Sequence, residues 1–194
     1  MYDDDQLFST PFHSYRQGVL QEVRNKIAGA SKTNLSSEDE FATALLSRYT
    51  LTELNLDMDS LRVLPHHREE ESYSSDVFGD KQRIVTPVYT FEINYSGSQE
   101  LFNLSPGQAR RIHLKAYVDS DKMSFEVKDS DKSKLEQIKE GLKFNTDNQK
   151  AEVASFNEDL EKTIRTSIGQ RKQELNEHDA GLEAFGVPIK GKEV

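Results

Sequence analysis

The sequence predicts an α+β fold, on three observations. Between residues 83 and 129 apolar and polar side chains alternate, the period of a strand with one buried face. From Ser130 to His178 apolar residues recur at spacings of three, four and seven, the period of a helix. Two shorter segments within residues 14–50 carry the same helical period. The expected architecture is one domain over residues 1–194, an antiparallel meander of about four strands packed with helices. A long C-terminal helical hairpin completes it.

The elements follow in order. In "SYRQGVLQEVRNKIAGA", Val19, Leu20, Val23 and Ile27 share one helical face, and Gly29 is a natural stop. "LSSEDEFATALLSRY" opens with Ser37 and has Glu40 three residues later, a capping-box pattern. Phe41, Leu45, Leu46 and Tyr49 then form a stripe. Leu54, Leu56 and Met58 alternate with polar residues and predict a short strand. Residues 65–82, "PHHREEESYSSDVFGDKQ", carry Pro, charges, serines and Gly-Asp, the composition of a loop.

The sheet is expected over residues 83–129. Val85, Tyr89, Phe91, Ile93 and Tyr95 share a face of the first long strand, and Pro87, lacking an N–H, marks an edge or a strand start. Ile112, Leu114, Ala116 and Val118 alternate in the next strand, and Met123, Phe125 and Val127 in the last. The helical period then returns over residues 131–179, with Leu135, Ile138 and Leu142 in one stripe and a break at Phe144 and Asn145. Val153, Phe156, Leu160, Ile164, Ile168 and Leu175 form the stripe of a final helix. Phe156, Leu160 and Ile164 are expected to pack on the apolar sheet face or on the helix beginning near Lys132. From Asp147 to His178 this helix would span roughly 48 Å, so its end should project or meet a partner. Residues 186–194 read as a linker stub, because Gly186 and Pro188 stop a helix and "KGKEV" has nothing to bury.

Composition narrows the function classes. The chain of 194 residues has a formal net charge of −9 and a mean hydropathy of −0.75. An acidic total disfavours nucleic acid as a partner, since duplex-binding domains carry a basic footprint. No apolar run reaches bilayer length, and "MYDDDQLFST" lacks the basic start and apolar core of a secretory signal. The absence of cysteine excludes a thiol nucleophile and cysteine metal sites, and it fits a reducing, cytoplasmic location.

No phosphate-cradling glycine loop and no nucleophile elbow occurs. Asp121, Glu126 and Lys128 in "DSDKMSFEVK" have the residue types of a metal-dependent nuclease. Two carboxylates would hold Mg²⁺ and the lysine would steady the attacking water. A Glu/Lys alternation on the wet face of a strand accounts for the same residues without chemistry. His66 and His67 are candidate Zn²⁺ ligands by type, but adjacent side chains diverge. Arg110 and Arg111, with Lys115, would make a positive patch for a nucleic-acid-binding alternative. Arg171, Lys172 and Leu175 near the end of the last helix are candidate interaction residues, for a homo-oligomer or a partner protein. No cofactor is expected.

Three stretches resemble a bacterial accessory domain. They are "YTFEINYSGSQELFNLSP", "FNEDLEKTIRTSIGQRKQEL" and "LEAFGVPIK", within about residues 84–192. In that family the module lies N-terminal to a variable effector, a restriction-type nuclease or a TIR-like domain, in anti-phage proteins. The resemblance implies a non-catalytic regulatory, sensing or assembly role in bacterial defence, with an effector domain following. It carries no catalytic residue to this chain.

Overall fold

The computed structural model describes residues 6–75 and 81–184. The elements are β1 (Thr10–Pro11), α1 (Phe12–Ala28), α2 (Glu38–Tyr49), β2 (Asn55–Ser75), β3 (Lys81–Ser96), β4 (Leu104–Ser105), β5 (Ala116–Val118), β6 (Lys122–Lys128) and α3 (Lys134–Glu183). Short 3-10 turns occupy Gln99–Phe102 and Asp129–Asp131. The fold is α+β, as the periodicities predict. The described chain divides into two compact units, residues 6–14 with 51–153 and residues 15–50 with 154–184.

The first unit holds an antiparallel sheet in the order β2-β3-β6-β5. The last two strands are therefore exchanged relative to a simple meander. β6 pairs with β3 from Val88↔Lys128 to Asn94↔Lys122, and β5 pairs on its far side. β5 is shorter than the alternation suggests, because residues 111–114 leave the ladder. One sheet face carries Ile93, Tyr95, Met123, Phe125 and Val127, all buried. The Phe91 and Phe125 rings stack at 5.6 Å, and Tyr95 meets Phe102 edge-on at 4.8 Å. Each such pair adds about 0.5–1.5 kcal/mol beyond its buried area.

Residues 134–153 of α3 belong to this unit. Close approach is possible because position 141 is glycine: a Cβ there would lie 2.8 Å from Ile112. Gly97, at φ +110°, turns the chain after β3, and a Cβ there would lie 2.1 Å from the Glu53 carbonyl oxygen. Only glycine fits that position.

The second unit is helical. Tyr15 meets Phe156 at 6.0 Å, Arg16 pairs with Asp159, and Lys32 pairs with Asp179, so α1 and this part of α3 run parallel. α2 returns antiparallel to α1, with Tyr49 donating its hydroxyl to Glu22 at 2.6 Å. Val23, Ile27, Leu45, Phe156, Leu160, Ile164 and Ile168 are buried. Ser37 precedes α2, but its side chain makes no capping hydrogen bond.

Three expectations are corrected. Residues 65–75 are strand, not loop, and residues 81–82 begin β3. A two-stranded ribbon that is wet on both faces has no apolar alternation to announce it. Second, α3 runs unbroken through Phe144 and Asn145, so there is one long helix rather than a helical hairpin. Third, Phe156, Leu160 and Ile164 fall in the unit formed with α1 and α2, which contains no strand. The linker stub, 186–194, lies outside the described residues, as do residues 76–80 of the expected loop.

Candidate interaction surface

β2 and β3 form a hairpin longer than the sheet it belongs to. The β3–β6 ladder ends at Val88, while the β2–β3 ladder continues from Glu69↔Pro87 to Ser75↔Lys81. Pro87, which has no N–H to give a third strand, stands where the sheet narrows to a ribbon. The face that is buried at Ile93 continues outward through Phe91, Tyr89 and Pro87 to Val85, which is 42% exposed. Across the ladder the same face carries Val63, opposite Phe91, and Tyr73, opposite Arg83. Ile84 lies on the other face, opposite Ser72. Among the described residues the large exposed apolar side chains are Val63, Tyr73, Ile84, Val85 and Tyr117, and all but Tyr117 lie on this hairpin.

The wet face of the sheet is laced by ion pairs. Arg62 donates to Glu92 at 2.5 Å, and Lys122 lies 3.4 Å from the same carboxylate. Arg68 grips Glu126 through Nε at 3.0 Å and Nη2 at 2.6 Å. Lys128 donates to Glu70 at 2.7 Å. Arg62 stands directly opposite Glu92 and Lys122 diagonal to it, the positions from which cross-strand side chains interact. The Arg68–Glu126 and Lys128–Glu70 pairs instead reach over β3, which lies between β2 and β6. Hydrogen bonds from Arg68 hold the Glu126 carboxyl below its ordinary value against the opposing effect of burial. Hydrogen bonds from Arg62 do the same for Glu92.

Beside the ladder lies a depression of about 490 Å³, lined by Arg68, Thr90, His113, Lys115, Tyr117, Glu126 and Lys128, among others. Its floor includes Val88, Leu114 and Phe125. It brings Lys115 near Glu126 and Lys128. It does not bring Asp121 there. Asp121 lies five residues before Glu126 along β6, about 16 Å at the rise of a strand. The carboxylates and the lysine of the nuclease alternative therefore do not converge, and Glu126 and Lys128 are each engaged by a residue of β2.

The other sequence candidates are placed apart. His67 faces Tyr89 at 5.6 Å, and His66 lies in a register shift of β2 between Val63 and His67. Among the described residues no group of three His, Asp or Glu side chains could hold a metal ion. Arg110 is turned onto α3: its guanidinium lies 4.5 Å over the Phe144 ring and 3.6 Å from Glu140. Arg111 is exposed. Arg171 donates to the Ala30 carbonyl at 3.2 Å and pairs with Glu174, while Lys172 pairs with Glu38. Leu175 is half-buried. Arg171 and Lys172 of α3 thus engage partners within the helical unit itself.

Sequence reasoning passed over a polar stripe on α3. Asn145 Nδ2 donates to the Arg110 carbonyl at 2.9 Å, and the Arg110 N–H donates to Asn145 Oδ1 at 2.7 Å. Gln149 Nε2 donates to the carbonyls of Leu101, at 2.7 Å, and Leu104. Glu152 accepts from the Gly107 N–H at 2.7 Å. Spaced four and three apart, these side chains face one way on the helix and satisfy backbone that has left the sheet. The spacing of polar residues on one face was the available signal. No helix among the described residues is long and apolar enough to cross a membrane. No family model matches this chain, and no curated protein or solved structure is significantly similar to it.

Proposed function

We propose that this chain is a non-catalytic interaction module that works through its β2–β3 hairpin. The observation that carries this reading is the concentration of exposed large apolar side chains on that one hairpin. A two-stranded ribbon is marginal in water by itself, and exposed apolar side chains grouped on one element mark contact surfaces. The wet face of the sheet supports the non-catalytic part, since its carboxylates are spent on Arg62, Arg68, Lys122 and Lys128. A cytoplasmic setting in bacterial defence, with an effector domain or partner protein as the regulated element, is part of the proposal. It rests on the resemblance of the three sequence stretches.

The test is a phage challenge in cells carrying this coding region with its native downstream sequence. Tyr73→Ser combined with Val85→Ser should abolish protection while the purified variant keeps its circular dichroism and melting curve. Undiminished protection by that variant would overturn the assignment, and so would Mg²⁺- or Mn²⁺-dependent cleavage of DNA or RNA by the purified chain.

A further inference from the structure

The two edges of the sheet are finished differently. At β5, Lys115 bridges to Gln6, and Gln99 Nε2 donates to the Val118 carbonyl at 3.0 Å. At the opposite edge β2 is the terminal strand, and its pairing with β3 is regular from His67 to Ser75. Along this run His67, Arg68, Glu69 and Glu71 to Ser74 are exposed. An uncovered regular edge presents a row of backbone donors and acceptors to any extended segment of suitable chemistry.

Charge selects among such segments. The run contains Glu69, Glu70 and Glu71 in succession. Glu70 is turned to Lys128 and Arg68 on the wet face, and Glu71 is paired with Arg83 on the other. Glu69 shares a face with Glu71 and Tyr73 and has no ion pair among the described residues. In an antiparallel pairing of two copies centred anywhere from Glu69 to Glu71, glutamate would face glutamate, which is destabilising directly across a ladder. The register shifts on either side of Arg62 and the Pro65 ring confine regular pairing to the outer run.

We infer that the outer edge of β2 over His67–Ser75 takes up an extended, basic segment of a partner protein as an added strand. Basic residues two apart on that segment would stand beside Glu69 and Glu71, which share a face of β2. This inference rests on the interaction role proposed above and specifies the partner chemistry.

The probe is a short synthetic peptide alternating lysine and valine, titrated into the full chain and followed by amide NMR and hydrogen exchange. Two control peptides complete the set: one alternating glutamate and valine, and the lysine peptide N-methylated at alternate residues. The lysine peptide should bind saturably and slow exchange at alternate amides of His67–Ser74 by at least about tenfold, the effect of about nine-tenths occupancy. The glutamate peptide should not bind. The N-methylated peptide keeps its charge but loses one hydrogen-bonding edge, and should not bind either. Glu69→Lys, an exposed change, should remove binding of the lysine peptide and leave the melting curve in place.

Absent binding, equal binding by the N-methylated or glutamate peptide, binding retained by Glu69→Lys, or shifts that map away from β2 would each overturn the edge assignment. So would sedimentation showing that a second copy already occupies β2. These failures concern the edge alone, because the apolar hairpin faces are read separately by the Tyr73 and Val85 variants.

Discussion

Asn145, in the middle of a helix, holds the backbone of Arg110 as a neighbouring strand would, accepting from its N–H at 2.7 Å and donating to its carbonyl at 2.9 Å. Asn145 is fully buried. Asn145→Ala would therefore leave two backbone groups without partners, at a cost of about 1–3 kcal/mol. Thermal melting should show that loss, and amide exchange should quicken around Arg110 and Gly107 before the sheet opens. Unchanged exchange at Arg110 would show that the clamp does not hold this segment.

Gly97→Ala should be among the most damaging single changes in the first unit. It sets a Cβ 2.1 Å from the Glu53 carbonyl oxygen at a φ of +110°. The backbone strain alone is worth about 1–3 kcal/mol, and the clash adds to it. A large drop in melting temperature is expected, whereas Gly169→Ala, where a Cβ meets nothing within 4 Å, should be neutral or stabilising.

The Arg68–Glu126 pair gives stability a pH dependence. The Glu126 carboxyl is held below its ordinary value, so its contribution is present above about pH 4.3 and is lost as pH falls through the lowered value. Its side chain is 44% exposed, and screening limits the contribution to about 1 kcal/mol or less. Wild type and Glu126→Gln should differ most at neutral pH and converge in acid. A difference that grew on acidification would contradict the pairing.

Leu160→Ala should cost about 2–5 kcal/mol, since Leu160 is fully buried in the helical unit. Leu175→Ala, at a half-buried position, should cost clearly less. Melting curves on both variants compare the two, and sedimentation reports whether Leu175 also serves self-association. Equal destabilisation would mean that Leu175 is as deeply set in the core as Leu160.

Much of this architecture is written in side-chain periods. Val23 and Ile27, Leu45, and the run from Val153 to Ile168 were legible as helical stripes because each has one buried face. Phe91, Ile93, Phe125 and Val127 were legible as strands for the same reason. The outer half of the hairpin was not, since Glu69, Glu71, Ser72 and Ser74 are wet on both faces and composition there mimics a loop. Asn145 read as a break because its intrinsic preference opposes a helix, while tertiary hydrogen bonds to Arg110 override that preference. The candidate edge was hidden for a different reason. Which strand ends a sheet is a property of strand order, and the exchange of β5 and β6 shows that order did not follow the sequence.

The division of the chain into interleaved units has a consequence for its birth on the ribosome. The helical unit needs residues 15–50 and then nothing more until residue 154, with Leu51–Val153 of the other unit translated in between. At about 5–20 residues per second, translation leaves α1 and α2 waiting for roughly 5–20 s with no third helix to cover them. During that interval Val23, Ile27 and Leu45, buried in the finished protein, are available to chaperones or to other nascent chains. A polypeptide released at Val153 would contain everything the sheet unit is made of and would still carry an unfinished pair of helices. The cost of premature termination therefore falls on the part of the protein that was made early.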